Sequence, residues 1–184
     1  MTDIPELVRR NADFVTGEFR DGPLSMKSTG DMMIIGCVDP RVDPAYIVGL
    51  ARGEAVVIRN PGGRVTPATL RAMNTLNKVN EVHPENAPDG DFTLVILHHT
   101  DCGMAGLVPY EDVLAAYFET SADALGAMSV GDPYGSVRAD VEIVRRAVHR
   151  PRYVVAGLVY DVATGAVEVV VPPAQVPPPP APPG

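Results

Sequence analysis

Two cysteines, one histidine and an aspartate–arginine pair carry most of the chemistry this sequence offers: Cys37, Cys102, His99, Asp39 and Arg41. His99 and Cys102 lie three apart just beyond the apolar run Phe92-Thr93-Leu94-Val95-Ile96-Leu97, where a tight turn can bring an imidazole and a thiolate onto one ion. Cys37 ends a second apolar run, Met32-Met33-Ile34-Ile35-Gly36, and is followed by Val38-Asp39-Pro40-Arg41. If the two runs are neighbouring strands, their carboxyl ends gather Cys37, His99 and Cys102, a set whose softness and charge suit Zn2+, and the fourth position falls to water or to Asp39. Open α/β sheets carry their sites at that edge. The two cysteines lack the C-x-x-C spacing of a redox pair.

The rest of the chain has to position these ligands. Residues 5–19 carry apolar positions at loose helical spacing, and Asp21-Gly22-Pro23 breaks the pattern. After the first strand, 44–50 reads as a short helix with Pro44 near its start. Residues 54–60 form a second short strand running into Pro61-Gly62-Gly63, where missing side chains let the backbone approach a partner closely. Residues 66–80 read as a helix, 84–90 as loop and 110–118 as a further helix favoured by Glu111 and Asp112 at its amino end. The spacing predicts a break over 131–135, a helix over 137–148, a strand over 153–160, a turn at 163–165 and a returning strand over 167–171. That alternation predicts an α/β fold with a mainly parallel central sheet flanked by helices and an antiparallel C-terminal edge strand. Three parts follow: an N-terminal helical arm over 1–29, a zinc-binding domain over 30–171 and a proline-rich tail over 172–184. The tail, with eight prolines in thirteen residues, is expected to be extended polyproline II.

Composition bounds the partners. A chain of 184 residues, 46% apolar and 21% charged, can bury one core. Its formal charge of −8 opposes a nucleic-acid backbone. No run reaches transmembrane length, and the amino end lacks the apolar core of a signal peptide. Cysteines at strand ends fit metal ligation in a reducing compartment better than a secreted disulfide framework, which places the protein in the cytoplasm.

Cys37-Val38-Asp39-Pro40-Arg41 with His99-Thr100-Asp101-Cys102 resembles the paired C-x-D-x-R and H-x-x-C motifs of the β-class carbonic anhydrases. The likeness runs over about residues 30–165, through 53–63 and 157–162, and is to the short bacterial-type branch, which also resembles carbonyl sulfide and carbon disulfide hydrolases. It implies a zinc enzyme, a carbonate dehydratase that hydrates CO2 to bicarbonate through a zinc-bound hydroxide, with hydrolysis of COS or CS2 as the alternative. On this reading Asp39 accepts a hydrogen bond from the nucleophile, Arg41 clamps Asp39, and backbone N–H groups at Gly62, Gly63 and Gly103 meet the developing anion. The resemblance also implies a homodimer or homotetramer. Two departures stand out: no glutamine lies between Ser25 and Gly36, where larger members carry one for substrate, and Asn60-Pro61-Gly62 replaces the more usual Asn-Ala-Gly.

The remaining polar residues have plainer readings. His98 on a regular strand faces away from His99 and is expected to be packed and hydrogen-bonded. Asp101 reads as a turn residue before a ligand-orienting one. His83 and His149, in a loop and at a helix end, could pass protons but are by default exposed.

Overall fold

Strands rich in apolar residues on both faces call for a covered parallel sheet. The structure is a computed structural model describing residues 2–21, 25–148 and 152–176. Strands β1 (Met32–Cys37), β2 (Ala55–Asn60), β3 (Phe92–His99), β4 (Tyr153–Tyr160) and β5 (Val167–Gln175) lie in the order β2-β1-β3-β4-β5. The first four are mutually parallel, and β5 returns antiparallel to β4. β1 and β3 are therefore neighbours, with Gly36 paired to Leu97, and Cys37 ends its strand beside the two histidines that end β3.

Five helices accompany them among the described residues: α1 (Ile4–Thr16), α2 (Pro44–Ile47), α3 (Pro67–Val82), α4 (Glu111–Phe118) and α5 (Pro133–Ala147). On one face Val137, Val141 and Val144 of α5, joined by Met73 of α3, pack on Met33, Ile35, Leu94, Ile96, Val155 and Val159. Each fully buried valine or leucine of this kind contributes about 1.5–3 kcal/mol relative to an exposed one. On the other face Ile34, Val95 and Leu97 pack with Ile47 and Leu50. No helix among the described residues is long and apolar enough to cross a membrane.

Several boundaries differ from the sequence reading. The segment 131–135 is not a break: Asp132 accepts from the Tyr134 N–H, Pro133 takes the first helical position, and α5 starts there. Proline lacks only an N–H that would be orphaned at that position anyway. β3 runs two residues past Leu97 and includes both histidines. The last strand does not stop at Val171 but continues through Pro172 and Pro173 to Gln175, pairing Ala174 with Val155 and Gln175 with Val154, and Val176 is buried. An edge strand has one unpaired side, so prolines cost it little, and the irregular register between Val155 and Leu158 accommodates them. Residues 177–184 and His149 lie outside the described residues.

Candidate metal centre and active site

The ligating atoms of Cys37, His99 and Cys102 converge to within 4.8 Å of one another, the one such three-residue group among the described residues. Cys37 is placed by the end of β1, His99 by the end of β3, and Cys102 by the turn leading into the 3-10 segment Gly103–Leu107. The His99 Nδ1 lies 2.8 Å from the Thr100 carbonyl. That contact requires the hydrogen on Nδ1 and leaves the Nε2 lone pair facing the cluster. Nε2 is buried and has no hydrogen-bond partner.

The electrostatics of the cluster are those of a site short of positive charge. The Cys102 S–H beside it, helped by His99 and by the Asp39 and Gly62 N–H groups, holds the Cys37 thiol down to about 4 in spite of burial. Cys102 is pushed up, because ionised Cys37 opposes a second thiolate next to it and burial adds to that. Burial pulls His99 down, but the Cys37 sulfur and the Thr100 carbonyl outweigh it, and the net shift is upward. Two sulfurs sharing one proton beside an orphaned imidazole nitrogen make the donor set expected of a structural or catalytic zinc site, which ionises both thiols. The residues present therefore fit the metal.

Asp39 stands beside this cluster rather than in it. Arg41 holds both of its oxygens, with Nη2 2.7 Å from Oδ2, Nε 3.1 Å from Oδ1 and the Arg41 backbone N–H 2.9 Å from Oδ1. These bonds keep the Asp39 carboxyl at about 2. The other edge of the same guanidinium binds Asp101, through Nη1 to Oδ2 at 2.8 Å and Nη2 to the backbone carbonyl at 2.9 Å. Asp101 is thus a cross-link between the loops that carry Cys37 and Cys102 as well as a left-handed turn residue, with φ 52°. Only the folded chain brings Arg41 near it.

A cavity of about 240 Å³ opens next to the cluster, walled by Gly62, Arg64, His98, His99 and Cys102 among others. Of the three glycines expected to meet substrate, Gly62 lines it. Gly63 sits behind it with φ 66°, where an added Cβ would lie 2.9 Å from the Cys37 nitrogen. Gly103 faces open space. His98 is buried, with Nε2 3.2 Å from both the Gly63 carbonyl and Asp140 Oδ2, as its packed reading requires. His83 is exposed at the end of α3 and meets Glu85.

Sequence reasoning missed three polar anchors. Arg59 reaches from β2 to the carbonyls of Cys37 and Asp39, 2.8 Å each, and to Asp43 at 2.7 Å, so it fixes the first ligand loop from behind. Arg64 and Asp140 form an ion pair in which the side chains are 2% and 0% exposed. Asp140 takes Nε and Nη2 of Arg64 and the Val65 N–H. One signal for it was legible: Asp140 interrupts the stripe Val137, Val141, Val144 on the apolar face of a helix, where a carboxylate needs a buried partner.

Comparison with known proteins agrees with this geometry. The carbonic anhydrase family model matches residues 32–116. Beta-carbonic anhydrase 1 of Mycobacterium tuberculosis is 31% identical over 180 residues, covering 94% of this chain and 100% of that protein. The chain belongs to the β-carbonic anhydrase family. Among solved members, the carbonic anhydrase of Streptococcus mutans superposes with a TM-score of 0.65 at 26% identity, covering 92% of this chain and 98% of that one. The family's relatives also include the carbon disulfide hydrolase of Saccharolobus solfataricus, 25% identical over 115 residues and covering 62% of this chain and 49% of that protein.

Proposed function

We propose that this β-carbonic anhydrase catalyses the reversible hydration of CO2 to bicarbonate with one zinc ion held by Cys37 Sγ, His99 Nε2 and Cys102 Sγ. The observation that carries the reading is the orphaned His99 Nε2 turned toward two sulfurs at the carboxyl edge of the sheet. Zinc bound there supplies Lewis acidity, which generates a nucleophile from water near neutral pH. Everything else falls to the chain. Arg41 occupies both Asp39 oxygens on one side, which keeps the carboxylate from swinging in among the ligands and fixes its remaining lone pairs. Asp39, ionised throughout the neutral range, accepts the hydrogen of the attacking water and so orients the oxygen lone pair toward the substrate carbon. Asp39 N–H, 3.4 Å from Cys37 Sγ, and Gly62 N–H steady the first thiolate. The backbone N–H groups of Gly62, Gly63 and Gly103 remain the proposed donors to the anion, Gly62 being shared with the sulfur.

Stopped-flow CO2 hydration by zinc-loaded protein tests this reading, and turnover at the uncatalysed rate sinks it. The second reading, hydrolysis of COS or CS2 at the same site, is favoured by the likeness to the Saccharolobus solfataricus enzyme and by the missing glutamine. Sulfide released from COS, measured on the same preparation, separates the two. We further infer a homodimer or homotetramer, because α1 has no buried residue and leaves Ile4, Leu7, Val8 and Val15 exposed. A cytoplasmic setting belongs to the same proposal and rests on reading the two cysteines as metal ligands rather than as a disulfide framework.

A further inference from the structure

The cavity beside the cluster has a second wall that the reaction described above does not use. Arg64 lies on it, 2% exposed, with its guanidinium carbon 4.8 Å from the centre of the Phe118 ring. Its side-chain hydrogen bonds leave from two nitrogens only: Nε to Asp140 Oδ2 at 2.8 Å, and Nη2 to Asp140 Oδ1 at 3.1 Å and to the Met128 carbonyl at 2.7 Å. Nη1 has no partner among the described residues. It is also not one of the sealed, unpartnered polar atoms, which among the described residues are Asn86 Nδ2 and His99 Nε2. A nitrogen neither bonded nor sealed looks onto open space, and the open space that Arg64 lines is this cavity.

His98 shares that wall and the same aspartate. Its Nε2 faces two acceptors, the Gly63 carbonyl and Asp140 Oδ2, each at 3.2 Å, and so carries the ring hydrogen. Nδ1 is then an acceptor, and it too is neither bonded nor sealed among the described residues. Because Arg64 Nε and His98 Nε2 both converge on Asp140 Oδ2, the two side chains sit side by side, with one free donor and one free acceptor. Ser136, also on the wall, adds no donor, since its hydroxyl is committed to the Ser129 carbonyl at 2.7 Å.

We propose that this wall is a seat for bicarbonate, separate from the metal's own open position: Arg64 Nη1 donates to a charged oxygen, and His98 Nδ1 accepts the O–H. The chemistry selects an oxyanion that still bears a hydrogen. Nitrate, which has no hydrogen to give, satisfies only the arginine and leaves the imidazole nitrogen unpaired. Asp140 neutralises the Arg64 charge, so the hold is by directed hydrogen bonds rather than net charge, which suits a product that has to leave. The proposal rests on bicarbonate being the product, that is, on the function proposed above, but its test does not depend on turnover.

Carbon-13 NMR of labelled bicarbonate titrated with the full chain, zinc-loaded and then metal-stripped, reads the seat directly. Saturable line broadening that survives stripping, resists nitrate at tenfold excess and weakens about tenfold in Arg64→Lys is the expected result. Ala105→Phe, which fills the cavity from its exposed rim without touching the ion pair, is expected to abolish it, and so provides an answer if Arg64→Lys fails to fold. Broadening that disappears with the metal, that Ala105→Phe leaves intact, or that nitrate displaces as readily as bicarbonate does overturns the seat. Loss of CO2 turnover with bicarbonate broadening intact would sink the catalytic reading and leave the seat standing, and the reverse pattern would do the opposite.

Discussion

At the scale of single residues, the site separates groups that bind from groups that orient. Cys37 has no substitute as a sulfur donor, so Cys37→Ser is expected to lower bound zinc from one equivalent per chain to near zero by elemental analysis, with the fold retained by circular dichroism. Asp39→Asn keeps the metal and removes an acceptor, and a drop of about two orders of magnitude in kcat with unchanged zinc content is the corresponding expectation. Arg41 sets when Asp39 titrates. Its hydrogen bonds hold the Asp39 carboxyl at about 2, below the ordinary value near 4 of an unfolded chain. A folded value depressed in this way gives stability that is fully present above the unfolded value and lost as pH falls through the folded one. The pair's contribution is therefore constant above roughly pH 4 and fades toward pH 2. In Arg41→Met that acid loss should vanish from urea titrations run from pH 5 to pH 2, while neutral stability falls only slightly, since Arg41 is about half exposed.

At the scale of elements, the ligand-bearing loops are held from behind by the segment after β2. Gly63 needs a positive φ and also lets that segment touch β1, because a Cβ there would press on the Cys37 nitrogen and the Gly36 carbonyl carbon at 2.9 Å. Gly63→Ala should thus displace the first ligand and weaken zinc at least tenfold in chelator competition. Gly49→Ala is the control: its φ is 67°, but a Cβ meets nothing within 4 Å. It should cost only about 1–2 kcal/mol of stability and leave zinc affinity alone. The Asp140 ion pair works on a different link, between α5 and the segment carrying Arg64. Burial acts to raise the Asp140 carboxyl, and the hydrogen bonds from His98 and Arg64 overcome it and hold it low. Asp140→Ala strands a buried guanidinium and should lower unfolding free energy by about 3–5 kcal/mol in urea.

At the scale of the whole molecule, the arm over α1 is the part with least support from its own chain. Its apolar residues point outward, and Phe14 and Phe19 meet the body through the Arg52 guanidinium, 4.9 and 5.7 Å from their ring centres. A helix of 13 residues with no buried side chain is marginal in water, and the assembly proposed above would cover it. Sedimentation of the wild type should show a dimer or tetramer, and the double change Leu7→Asp with Val8→Asp should shift it toward monomer. A wild-type monomer at micromolar concentration would contradict the assembly.

The sequence alone marked the candidate ligands and the alternation of strands and helices. Cys37, His99 and Cys102 sit where apolar runs stop, and the alternation of strands and helices points to a parallel sheet; that β1 and β3 are neighbours, so that its carboxyl edge collects the three, came from the fold. Spacing also carried the Asp39–Arg41 clamp, because two residues in one turn need no tertiary information to meet. What only the folded chain decided were contacts between residues far apart in sequence: Arg41 to Asp101, Arg59 to the carbonyls of the first ligand loop, Arg64 and His98 on Asp140. Burial makes the last of these matter most, since the Arg64 charge and the His98 imidazole, removed from water, must find a partner where the packing of α5 against the sheet puts Asp140. The length of β5 was decided in the same way, by an open edge that tolerates Pro172 and Pro173 where local sequence alone reads a break.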